Sequence, residues 1–350
     1  MANVTNLLGA AVSAPGGLWV IIINWINGAI GNLGWTIVLF TVLIKLVLSP
    51  LDFSVKYSTK KTTLTQQKLA PQMAKLQKKY GNNPQMLQTQ QQALYKKEGT
   101  NLVASCVIML INLVATLVIF FTIFASLREV AAFNAIKQYD ELQVVYTQAV
   151  EAGEDPTAAV NAKWDENKDS WLWISNIWGK DGNYKPMLTY NDLVSSVNSS
   201  GKQEYKDYVA SINQDTYNHI QEITNTHENK WNGYYILAVL GAAITFLSQY
   251  VSELGTKLKN KKANMVAQAA NQNKSMGLIM KILLPVMMVI FVLTSSASFG
   301  IYILASSVVS TLTSVLINLI VDKMTAKKQR EVTEYLEKEA VKAERKAIKQ

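Results

Sequence analysis

Residues 33–51, LGWTIVLFTVLIKLVLSPL, decide the fold. At about 1.5 Å per residue, a helix of this length crosses the hydrocarbon core of a bilayer. The stretch is apolar almost throughout, yet it carries Lys45. A lysine at the bilayer centre costs on the order of 3 kcal/mol on insertion scales. Two readings of Lys45 stand. Either its stem snorkels to the headgroups near Ser49, Pro50 and Asp52, or its charge is held in a wet cavity. By helical rise it sits about 10 Å inside the polar end, whereas a lysine stem spans only about 6 Å. Snorkelling therefore requires a tilted helix or a thinned bilayer.

Further apolar runs occupy 102–125, 234–251, 278–297 and 299–321. None alternates as a barrel strand does. The expectation is an all-α polytopic membrane protein with five transmembrane helices. The chain divides into an N-terminal segment 1–32, a first span 33–51, a polar hairpin 52–100, a second span 101–126 and an insertion 127–233. Then follow a third span 234–252, a loop 253–277, a fourth span 278–297, a fifth span 298–321 and a tail 322–350.

Charge sets the orientation. Segment 52–100 has nine lysines against Asp52 and Glu98, a net of +7. Segment 128–233 has nine basic and sixteen acidic residues, a net of −7. Segment 253–281 carries +5 and the tail +3; with Lys45 these recover the total of +9. The positive-inside rule puts the lysine-dense short segments and the tail in the cytoplasm. The N-terminus and the acidic insertion then face outside, as expected of a multi-pass protein of a bacterial-type plasma membrane. The N-terminal residues lack a basic start and a long apolar core, so a cleaved signal peptide is not expected.

Residues 18–30, LWVIIINWINGAI, read as a helix lying in the headgroups and joined to the first span through Gly31-Asn32. The alternative is one longer, tilted span. Residues 55–79 are rich in Lys and Gln, with apolar residues near helical spacing. Asn83 and Pro84 suit the cap and first position of a second helix, and Gly99 its stop. This cytoplasmic hairpin presents Lys75, Lys78, Lys79, Tyr80, Lys96 and Lys97. A solvated linker is the plain reading. Lysines beside a membrane also suit anionic lipid, a nascent chain or ribosomal RNA. The basic tail reads as an exposed helix able to dock on ribosomal RNA.

The second span carries Asn112 and, one turn on, Thr116. An intramembrane amide is commonly an interhelix hydrogen bond. The fifth span carries Ser307, Ser310, Thr311, Ser314 and Asn318 at intervals of three and four, so they share one face, flanked by Ser306 and Thr313. Hydroxyls bonding back to their own helix, or close helix packing, are the simpler explanations. A stripe this wide also suits a wet surface. Together with Lys45 and Asn112 it can line one hydrophilic cavity in the membrane.

Within the insertion, WLWISNIWGKDGNY at 171–184 suggests packing at the membrane edge or on a small core, and 137–163 and 188–229 suggest polar helices. Pro285 should kink the fourth span, and TSSASFG should form a tight turn. No nucleophile–base pair, glycine-rich phosphate loop or metal motif is found, so no catalytic residue, cofactor or metal is expected. One cysteine, Cys106, allows no disulfide within the chain. His219 and His227 read as surface residues.

The stretch NLGWTIVLFTVLIKLVLSPL, the hairpin LAPQMAKLQKKYGNNPQMLQTQQQALYKKEGTN, Cys106 and WLWISNIW resemble the YidC membrane insertase family, with its mitochondrial oxidase-assembly and chloroplast Alb relatives. The resemblance runs from about Leu18 to Lys323, apart from most of 134–229. It implies five helices around a hydrophilic groove, with the positive residue of the first span, here Lys45, inside. Most of the family has arginine there, so the charge is kept without the planar fork. Asn112 stands where glutamine is usual, Ile303 where a tryptophan follows the aromatic matched by Tyr302, and Thr313 near an expected glutamine. The groove set is then Lys45, Asn112, Thr116, Ser307, Ser310, Thr311, Thr313 and Ser314. The function implied is non-enzymatic insertion of nascent membrane proteins, without nucleotide hydrolysis. The partners expected are those nascent proteins, the ribosome through the basic tail and loops, a Sec translocon and membrane lipids, and not DNA. A small-molecule or anion transporter using Lys45 is the main alternative. A membrane scaffold or an intramembrane enzyme explains less, the first leaving the lysine without a purpose and the second lacking a catalytic pair.

Overall fold

A computed structural model describes residues 12–99, 102–260, 283 and 286–348. Among these the regular structure is helical: α1 (Leu18–Ile30), α2 (Leu33–Tyr80), α3 (Pro84–Lys97), α4 (Leu102–Glu151), α5 (Pro156–Asn167), α6 (Tyr190–Ser200), α7 (Gln203–Ser211), α8 (Gln214–His227), α9 (Ile236–Asn260), α10 (286–294) and α11 (Ala297–Ile348). Three of them, α2, α4 and α11, are long and apolar enough to cross a membrane, and α1 and the start of α9 are shorter apolar helices. The kink expected at Pro285 and the loop residues 261–281 lie outside the described residues.

α1 is a separate helix. It closes on Gly31 in the left-handed conformation (φ 70°), which glycine adopts without a Cβ penalty. Asn32 then caps α2, its side chain accepting from the N–H of Trp35 at 3.1 Å. That joint makes α1 and α2 two helices rather than one continuous one. Pro50 does not end α2. It lacks the N–H that would serve the carbonyl of Leu46, and the Ser49 hydroxyl donates to that oxygen instead, at 2.8 Å. α3 begins as the sequence suggests, with the Met86 N–H donating to Asn83 at 3.1 Å and Pro84 in the first turn.

The chain forms two compact units. The first comprises 1–44, 118–246 and 282–308, and the second 45–117, 247–281 and 309–350. The first unit has two cores. In one, Val20, Ile23 and Ile26 of α1 meet Ile37 and Phe40 of α2, Ile123 and Leu127 of α4, Leu237 of α9 and Phe299 of α11. Trp171, Ile174, Ile177 and Trp178 complete this core, so the tryptophan-rich segment is buried against the ends of the apolar helices. The other core lies in the inserted segment and its flanks, with Val12 of the N-terminal segment joining it. Ile136, Tyr139 and Leu142, on the extension of α4, pack with Trp164 of α5 and with Leu193, Tyr205 and Tyr217 from α6, α7 and α8.

Backbone pairing fixes the tryptophan segment. The N–H groups of Ala297 and Ser298 donate to the carbonyls of Gly179 and Ile177, at 2.7 and 2.8 Å, and the Gly233 N–H donates to the Asp181 carbonyl at 2.9 Å. A buried amide network adds to it. Asn232 exchanges hydrogen bonds with the backbone of Asn176, whose side chain donates to Gln138 at 3.0 Å. The Asp181 carboxylate accepts the Leu237 N–H at 3.1 Å and so caps the start of α9. The expected turn is as short as its sequence suggests, since only Ser295 and Ser296 separate α10 from α11.

Candidate functional site: charged residues on the first long apolar helix

In the second unit α2 and α11 run side by side in the same direction. Lys60 pairs with Asp322 at 3.1 Å, Lys328 donates to the Thr65 hydroxyl at 3.0 Å and Gln72 to the Tyr335 hydroxyl at 3.3 Å. Partner numbers rise together, which defines a parallel pair. Leu64 buries itself between Val332 and Leu336, giving the polar contacts an apolar centre. Lys68 braces α3 through Glu98 at 2.6 Å.

Nearest the apolar end of this pair, the Lys56 ammonium donates to the Ser314 carbonyl at 3.0 Å and also contacts the Ser314 hydroxyl. Lys45 is half-buried, two turns further along α2 on the Asp52 face. Asp52 is close enough to act electrostatically on both Lys45 and Lys56. Lys45, Asp52, Lys56 and Lys60 thus form one row, at spacings of seven, four and four, with Ser314 and Asp322 facing its lower end. Sequence reasoning singled out Lys45 and counted Lys56 and Lys60 only among the hairpin lysines. The spacing from Asp52 to Lys56 to Lys60 was the signal available to join them.

The other groove candidates are distributed as follows. Asn112 is half-buried and Thr116 exposed on α4, amid exposed Leu113, Val114 and Leu117. Ser310, Thr311, Thr313 and Ser314 are half-buried on α11, and belong with Lys45, Asn112 and Thr116 to the second unit. Ser307 belongs to the first. The Thr313 hydroxyl donates back to the carbonyls of Val309 and Ser310, at 2.8 and 3.2 Å, which satisfies its proton within its own helix. Its oxygen still has lone pairs to offer. The hairpin residues Lys75, Lys78, Lys79, Lys96 and Lys97 are exposed, and the Lys79 ammonium lies over the half-buried Tyr80 ring at 5.0 Å. His227 meets the Asp165 carboxylate at 2.8 Å in the inserted segment.

An all-helical chain with several helices long and apolar enough to span, one of them carrying a half-buried cation, is a multi-pass membrane protein. Its sequence matches the family described as 60Kd inner membrane protein over residues 25–326, and the chain belongs to that family. Similar curated proteins are named membrane protein insertase YidC. The Helicobacter pylori protein is 32% identical over 117 residues, 33% of this chain and 19% of that protein. The Wolinella succinogenes protein is 34% identical over 117 residues, with the same coverage of 33% and 19%. The Leptospira interrogans protein is 33% identical over 120 residues, 34% of this chain and 18% of that protein. The chain thus spans about a fifth of the length of the curated relatives it matches. No solved structure matches it.

Proposed function

We propose that the chain is a membrane protein insertase. The observation that carries this reading is the half-buried ammonium of Lys45 on an apolar helix, in a chain of a family whose curated relatives are named insertases. Five spans, with the N-terminus outside and the tail in the cytoplasm, enclose a hydrophilic groove. Lys45, Asn112, Thr116, Ser307, Ser310, Thr311, Thr313 and Ser314 line it. A short polar tail of the substrate enters this groove, where Lys45 attracts its acidic side chains and the hydroxyls replace lost water. The apolar segment then slides along the spans into lipid. Transfer of apolar surface drives this step, at about 25 cal/mol per Å², and the membrane potential adds work on negative charge. No nucleotide is hydrolysed and no covalent chemistry is needed.

Asp52 and Lys56 refine that mechanism. Asp52 tempers the field of Lys45, so an acidic tail is attracted over a short range and still released. The exposed lysines of the hairpin receive the substrate, the basic tail contacts the ribosome, and a Sec translocon is a further partner. The test is reconstitution of the purified chain in liposomes with a single-span test protein and, in parallel, with trapped small anions. Protease-protected integration of the test protein above that in empty liposomes supports the insertase. Anion flux without integration supports a transporter instead.

A further inference from the structure

A pocket lies midway along α4, in the first unit. It has a volume of about 310 Å³ and opens where α4 and α10 leave their apolar stretches. Phe124 and Phe291 form its apolar side, while Phe121, one turn deeper on α4, and Ile290, beside Phe291 on α10, are exposed. Arg128 and Lys180 contribute the cations, and serines of α6, with Ser295 and Ser296 of the turn, contribute hydroxyls. The Arg128 guanidinium lies 5.0 Å from the centroid of the Phe124 ring, and makes no ion pair among the described residues. Lys180 is already neutralised by Asp192 at 2.7 Å. The pocket therefore carries one uncompensated positive charge, one helical turn beyond the last aromatic of an apolar span. That is the depth at which lipid phosphates lie.

We infer that this pocket binds the headgroup of an anionic glycerophospholipid, with the phosphate on Arg128 and the acyl chains against Phe124 and Phe291. The chemistry fits each part. A guanidinium fork takes two phosphate oxygens. The hydroxyls of Ser196 and Ser199 suit a polyol headgroup. The aromatic side leads towards the hydrocarbon, which a free phosphate does not use. The inference does not depend on insertase activity, since none of these residues belongs to the groove.

The test uses the full chain in a non-ionic detergent, with radiolabelled dioctanoyl-phosphatidylglycerol as the probe. Binding should be saturable, and stronger than that of dioctanoyl-phosphatidylcholine. Arg128→Gln should weaken it about tenfold or more, and Arg128→Lys less. Phe291→Ala should weaken lipid binding, while inorganic phosphate should not displace the lipid. Ser199→Leu, which fills the pocket from a half-exposed position on α6, should block binding, and decides the matter if Arg128→Gln does not fold. Equal binding by folded wild-type and Ser199→Leu chains overturns the proposal. So does equal affinity for the two lipids, or displacement by inorganic phosphate at the concentration of the lipid, which marks a free-phosphate site.

Discussion

Gly34→Ala should destabilise the first unit, against the usual sign for glycine in a helix. Gly34 lies in the first turn of α2, where alanine is ordinarily better by about 1 kcal/mol. A Cβ at this position would lie 2.2 Å from Cδ1, 2.3 Å from Cγ and 2.6 Å from Cβ of Trp171. Rotating the indole does not relieve the last of these contacts, because it involves the first side-chain atom. The Trp171 backbone must move, yet it exchanges hydrogen bonds with Ile174 at 3.0 and 2.8 Å. The indole also packs edge-on against Trp35, with centroids 5.5 Å apart. Overpacking of this kind costs roughly 1–3 kcal/mol, with about 2 kcal/mol as the central value, so against the propensity gain the net loss is about 1 kcal/mol and at most about 2. Denaturant titration in detergent, followed by tryptophan fluorescence, measures it. A double-mutant cycle assigns the cause: in a Trp171→Leu background, Gly34→Ala should become neutral or stabilising, a coupling of about 2 kcal/mol. A Gly34→Ala chain as stable as wild type, or a cycle without coupling, would refute the close approach of these two elements.

Two further predictions concern other contacts. Burial pushes the Asp181 carboxyl up to about 6, against the N–H groups of Ala238 and Leu237, which favour the carboxylate. The folded chain therefore holds this proton more tightly than the unfolded chain does. The stabilisation is full below about pH 4 and lost as pH rises through about 6, an effect of at most about 2–3 kcal/mol. Asp181→Asn should remove that part of the fall in stability between pH 4 and pH 7, and an unchanged pH profile of unfolding would contradict the burial. Leu64→Ala empties the contact with Val332 and Leu336 and should cost about 2–4 kcal/mol locally. Amide exchange over 325–340 should then speed up, and unaltered protection would mean that the tail does not depend on this contact.

Much of the fold is legible in the sequence because local chemistry dictates it. Asn83-Pro84 caps a helix wherever it sits, Gly31 stops one, and the tryptophans of 171–178 have too much apolar surface to stay in water. The continuation of α2 through Pro50 is harder to read. It depends on the Ser49 hydroxyl taking the carbonyl that the proline cannot serve, and the same Ser-Pro pair often ends helices. Lys56 reads as a hairpin lysine in the sequence because its partner, Ser314, lies 258 residues away, and no local pattern reports that distance. The capping of α9 by Asp181 escapes for the same reason. Lys45 was legible because an ammonium within an apolar run is costly wherever the chain folds.

The central claim is that Lys45 works as a positive charge on substrates. The most direct measurement is insertion of a single-span protein with an acidic tail into proteoliposomes holding wild type, Lys45→Arg, Lys45→Ala or Lys45→Glu, each first shown to fold. The account predicts that arginine keeps insertion, alanine lowers it about tenfold and glutamate lowers it further, as expected for loss and reversal of one attraction in a partly wet site. A test protein with a neutral tail should be far less affected. Equal insertion of the acidic tail by all four chains would contradict the claim.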